Sequence, residues 1–144
     1  MARFVFRLQP LLNVKEQIED QKEIEYGQAL RRLDEERKAK ERLERQRESQ
    51  IVLFRESLEK GINPAEARRY NNTIERLKNR IKEQIKRIEA AEAYAEKKRV
   101  ELVEAMKQRK MLDSIKDNRL ETYKQGEKLA EQKQVDELVS YQYS

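Results

Sequence analysis

The chain contains no cysteine and no histidine. Without cysteine, neither a disulfide framework nor a thiolate metal site can form. Without histidine, the usual general base, the usual partner of a nucleophile and the commonest metal ligand are missing. Glycine and proline are scarce, at 3 and 2, and aromatics make up only 6% of the 144 residues. Such a composition does not build a thick globular core. No apolar run approaches the roughly 20 residues that a bilayer span requires. Met1-Ala2-Arg3-Phe4 leads straight into a helical pattern, so no signal peptide is read and a cytoplasmic location is expected. No glycine-rich phosphate loop, nucleophile elbow or metal-ligand spacing is present. An enzyme is not expected, and no cofactor or metal is implied.

Charge is abundant instead. Charged residues make up 42% of the chain, with 33 basic and 28 acidic side chains giving a net +5. The length fits one domain, and the balance fits a coiled coil. Disorder is the rival for so polar a chain, but apolar residues at helical spacing argue against it. Both signs are mixed along the sequence, which is a weak basis for nucleic-acid binding. Paired carboxylates such as Glu35-Glu36 and Asp136-Glu137 read as solvated helix surface, because a catalytic pair needs a cleft that separates two pKa values. The basic run from Arg37 to Arg47 is diluted by Glu35, Glu36, Glu41 and Glu44 and reads as a solvated face.

The pattern is organised about Lys60-Gly61-Ile62-Asn63-Pro64. Gly61 can adopt the left-handed conformation that ends a helix. Asn63 is a good N-cap, Pro64 suits the first helical position, and Glu66 stands where a capping box needs it. The predicted architecture is all-α: two long helices in an antiparallel two-stranded coiled coil, a single helical hairpin over 1–144. Helix 1 is expected from about Phe4 to Glu59, with Pro10 in its first turns, so that the continuous helix either begins near Leu11 or is kinked there, and helix 2 from about Pro64 to Leu138, followed by a frayed end.

The helix 1 seam reads Phe4, Leu8, Leu11, Val14, Ile18, Tyr26, Leu30, Leu33, Leu43, Ile51, Phe54, Leu58. It thins between Asp34 and Gln50, where only Ala39 and Leu43 are apolar, and this middle is expected to be the loosest part. In helix 2, Ile74, Ile81 and Ile88 repeat by sevens with Leu77 and Gln84 between them, and the seam also takes in Ile85. Glu92 and Glu96 stand one turn apart and are expected to repel. Folding at Ile62 sets residue i opposite roughly 124 − i, in a rod about 80–90 Å long. Phe54 then meets Tyr70, and Phe4 approaches Leu120. About twenty residues of helix 2 from Lys124 are left over by this register.

The two ends carry a resemblance. The start reads Phe4-Val5-Phe6-Arg7-Leu8-Gln9-Pro10-Leu11-Leu12. The end includes Arg109-Lys110-Met111-Leu112, Arg119-Leu120-Glu121-Thr122-Tyr123 and Glu131-Gln132-Lys133-Gln134-Val135-Asp136-Glu137-Leu138. These segments resemble the FliJ family, small coiled-coil proteins of the bacterial flagellar type III export apparatus. The resemblance implies a stalk-like rod that links a hexameric export ATPase to the membrane export gate protein and helps handle export chaperones. It implies a monomer at the cytoplasmic face of the inner membrane. By that likeness Arg7, Leu8, Leu11, Leu12, Arg109, Arg119, Gln132, Lys133, Asp136 and Glu137 would meet the ATPase ring. Arg47, Gln50, Phe54, Tyr70, Ile74 and Leu77 would face the gate. Two other readings stay open: a structural coiled-coil spacer, and a basic adaptor for nucleic acid or anionic membrane.

Overall fold

The structure, a computed structural model, describes residues 3–143. It contains two helices, α1 (Gln9–Lys60) and α2 (Pro64–Tyr143). Their 52 and 80 residues are far longer than an isolated helix needs, and almost no interior residue opposes helix formation. The helix ends follow from local chemistry. Gly61 takes φ +83°, a left-handed conformation that costs an L side chain about 1–2 kcal/mol, and its N–H donates to Leu58 O at 3.2 Å. Asn63 Oδ1 accepts from the Glu66 N–H at 2.8 Å, which satisfies an otherwise free donor of the first turn.

Two boundaries differ from the residue pattern. α1 begins at Gln9, not near Phe4. Pro10 lies in its first turn, where a missing N–H costs nothing and a fixed φ is already helical. The preceding segment is not helical, and the Gln9 N–H donates to Phe6 O at 3.0 Å. At the other end α2 continues past Leu138 to Tyr143.

The chain divides into two compact units, Met1–Lys22 with Leu102–Ser144, and Glu23–Glu101. In the first, the α1 and α2 segments run antiparallel. Phe6, Leu12 and Leu112 form its buried cluster, with Phe4, Leu8 and Ile115 packed against it. Leu12 is 2% exposed and is the largest fully buried side chain among the described residues. Phe4 lies on Tyr123, ring centroids 5.5 Å apart, rather than on Leu120. The segment before α1 is not helical, so it does not follow the helical register. On the flank, Lys15 Nζ donates to Gln108 Oε1 at 2.7 Å, and Arg109 bridges Glu19 and Asp113.

In the second unit the helices turn back at Gly61. Ala29, Leu33, Leu43, Leu77 and Ala95 are its buried apolar residues. Phe54 packs on Tyr70 at 5.4 Å, as folding at Ile62 requires, and Ser57 Oγ donates to the Tyr70 hydroxyl at 3.2 Å.

The seams are narrower than the apolar pattern predicts. Leu11, Val14, Ile18, Leu30, Leu58 and Ile85 are exposed. A two-stranded contact covers only about two positions in seven, so apolar residues one step to either side remain in water. Glu92 and Glu96 do not meet as a repelling pair: Glu92 takes Arg37 at 3.2 Å and Glu96 takes Arg99 at 2.7 Å. With so few buried side chains, each matters. Leu12→Ala is expected to cost about 2–5 kcal/mol. Hydrogen exchange should therefore rise in residues 3–22 and 102–123, with less change around Gly61.

Candidate functional site

The candidate sites are the surfaces named by the residue pattern, taken unit by unit. In the first unit, Leu8 and Leu12 belong to the apolar cluster and Leu12 is buried. Arg109 turns inward: its guanidinium donates to both Glu19 carboxylate oxygens and, from Nη1, to Asp113 Oδ2 at 2.6 Å. Those two carboxylates hold the Arg109 pKa above the usual guanidinium range. Leu8, Leu12 and Arg109 therefore shape this end of the protein and do not face outward. Arg7, Leu11 and Arg119 are exposed, and Arg119 lies over the Phe6 ring at 5.6 Å, a cation–π contact.

Every described residue of α2 from Lys124 to Tyr143 is exposed. Gln132 and Asp136, and Lys133 and Glu137, stand one turn apart and share a side of the helix. The same stretch carries Leu129 at 66% and Leu138 at 65% exposure, with Val135 between them. Gln134, Glu137 and Leu138 line a shallow recess. Just before this stretch, Tyr123 donates to Glu127 Oε1 at 2.8 Å, which raises the phenol pKa.

In the second unit, Gln50 and Tyr70 line one recess with Glu66, Arg69 and Thr73. Phe54 and Ile74 are half-buried beside the turn, whereas Leu77 is core. Arg47 is half-buried, and its Nε is a buried donor with no hydrogen-bond partner. The second unit thus brings Gln50 and Tyr70 onto one recess and withdraws Leu77 from the surface.

One constellation is invisible in the residue pattern. Glu36, read above as half of a solvated carboxylate pair, is 9% exposed, and it meets Gln84, 7% exposed, across the seam. Gln84 Nε2 donates to Glu36 O at 2.9 Å and also to the Glu36 carboxylate. Arg32 Nε reaches the same carboxylate at 3.0 Å. This polar cluster occupies the stretch where the apolar seam thins, so the gap is bridged by hydrogen bonds. The signal that could have found it is Gln84 itself, a polar residue at a heptad position.

These features define a class: an all-α protein of two long helices, paired antiparallel within each unit. Among the described residues, no helix is long and apolar enough to cross a membrane, and no group of His, Cys, Asp and Glu could hold a metal ion. A family model described as "Flagellar FliJ protein" matches residues 4–144. The chain belongs to the FliJ family and is a helical coiled-coil protein related to flagellar type III export, in a family whose members interact with other components of the export apparatus. No curated protein and no solved structure matches it.

The buried cluster generates a pH dependence. The Gln84 hydrogen bond, joined by Arg32 and by the field of Arg87 and opposed by burial, lowers the Glu36 pKa from its ordinary 4.5. A carboxylate depressed on folding contributes stability above its unfolded pKa and loses it as pH falls through the folded pKa. The second unit should therefore loosen at pH values below the ordinary glutamate range. Gln84→Ala should lower the melting temperature at pH 7 and flatten the part of the acid transition that Glu36 supplies, read by circular dichroism between pH 7 and pH 2.

Proposed function

We propose that this protein links the flagellar export ATPase hexamer to the membrane export gate protein and assists in handling export chaperones. In this reading it works as a monomer at the cytoplasmic face of the inner membrane. The observation that carries the ATPase contact is the exposed α2 segment from Lys124 to Tyr143, with Leu129, Val135 and Leu138 in water beside Gln132, Lys133, Asp136 and Glu137. Together with Arg7, Leu11 and Arg119, these residues supply the contact. Leu8, Leu12 and Arg109 act behind it, by holding the start of α1 against α2. Exposed ion pairs contribute only about 0–1 kcal/mol each. A contact made of several such pairs and a few apolar side chains holds without locking, which suits a component that must engage and release.

The recess that Gln50 and Tyr70 line with Glu66, Arg69 and Thr73 supports the gate contact; Arg47, Phe54 and Ile74, half-buried in the same unit, contribute to it, and the buried Leu77 acts through packing. The orphaned Arg47 Nε is a donor that a partner's carbonyl or carboxylate would satisfy.

Co-purification with the flagellar export ATPase of the same cell tests the reading. Asp136→Lys with Glu137→Lys should weaken capture by about tenfold, and removal of the chain from Lys124 onward should abolish it. Capture that survives both changes would remove the proposed ATPase contact. Tyr70→Ala should leave ATPase capture intact and reduce capture of the gate protein.

A further inference from the structure

The second unit concentrates positive charge that the linear sequence disperses. Between Arg37 and Arg47 six cations accompany two acids, Glu41 and Glu44. Between Arg76 and Arg87 six cations accompany one acid, Glu83. Antiparallel pairing lays these segments side by side, as the Gln84 to Glu36 hydrogen bonds show. The two stretches together carry +9, against +5 for the whole chain. On α1 much of this charge is answered: Lys38 pairs with Asp34, Lys40 with Glu44, Arg45 with Glu41 and Arg37 with Glu92. On α2, Arg76, Arg80 and Arg87 are exposed, and none has a carboxylate within the 4.0 Å of an ion pair.

The three arginines stand at steps of four and seven, so they share one side of α2. The lysines of the same segment, Lys78, Lys82 and Lys86, form a separate row at steps of four. The arginine row borders an opening: Arg80 and Arg87 line it with Glu83, Gln84 and the buried Leu43.

We infer that this row, Arg76, Arg80 and Arg87, is a docking face for an acidic helical segment of a partner protein. Guanidinium forks bind carboxylates in a fixed bidentate geometry and are weakly hydrated, so arginines suit a protein interface better than lysines do. Three carboxylates on a helix lying along α2 match the row, whose ends are about 16 Å apart at 1.5 Å per residue. An apolar side chain of the same segment seats over Leu43. Glu83 decides between partners. It stands within the arginine row, where a continuous phosphate backbone or a sheet of anionic headgroups would meet it unpaired. A protein segment can set a lysine against it.

The test uses the full chain and a synthetic helical peptide of about 20 residues. The peptide carries glutamates spaced to match the row, one leucine for Leu43 and one lysine for Glu83. Binding should be salt-sensitive. It should weaken at least about tenfold in R76E/R80E/R87E and stay within about twofold in K78E/K82E/K86E. If the arginine reversal lowers helicity by circular dichroism, R76Q/R80Q/R87Q takes its place with the same expected direction. The inference is overturned by absence of peptide binding or by equal loss in the arginine and lysine variants. It is also overturned if duplex DNA or phosphatidylglycerol vesicles bind as tightly as the peptide with the same dependence on the three arginines.

Discussion

Packing in both units rests on a seam one side chain wide. Two helices in contact cover only the positions that point directly at the partner, and everything a step away stays wet. The buried apolar set is correspondingly small: Phe6, Leu12, Ala29, Leu33, Leu43, Leu77, Ala95, Ala105 and Leu112. Flank contacts such as Arg109 with Glu19 and Lys98 with Glu25 tie the helices on either side of that line. These pairs are largely withdrawn from solvent and fix the alignment of the two helices.

The start of α1 shows how local and tertiary effects combine. Pro10 permits a helix to begin beside it but not to pass backward through it. Residues 3–6 therefore leave the helical path, and Phe6 folds into the cluster with Leu12 and Leu112 while Phe4 reaches Tyr123. Beyond Tyr123 nothing covers α2, and its apolar residues stay in water as far as Tyr143. A well-packed base followed by an exposed helix suits an export component that must be held in shape while offering a surface to another protein. In the second unit the buried Glu36–Gln84 pair plays a related part. A polar pair across a coiled-coil seam costs stability relative to apolar packing but penalises every register that separates its members.

Much of this was legible in the residues. Gly61, Asn63 and Pro64 mark the turn through backbone chemistry that hardly depends on context. The heptad steps of Ile74, Ile81 and Ile88 predict the pairing, and the Phe54–Tyr70 contact follows from counting back from Ile62. Several side chains were not legible. Leu11, Val14 and Ile18 read as seam residues yet are exposed, whereas Leu12, outside the predicted seam, is buried. Spacing identifies a helical side but not which member of it the partner covers. Arg109 and Glu36 both read as surface charges and both turn inward, because the groups that receive them lie on the other helix or across the seam.

The order of residues by itself determined where the helices break and that they pair antiparallel, since capping, φ preference and helical period are local properties. It also determined the family, through segments near both ends. Only the tertiary structure decided which charges answer one another and which are left over. Arg37 and Glu92 are far apart in the chain and meet across the seam, whereas Arg76, Arg80 and Arg87 stay exposed with no described carboxylate at ion-pair distance. Electrostatic energy depends on separation in space, and the fold sets that separation for groups that the chain keeps apart.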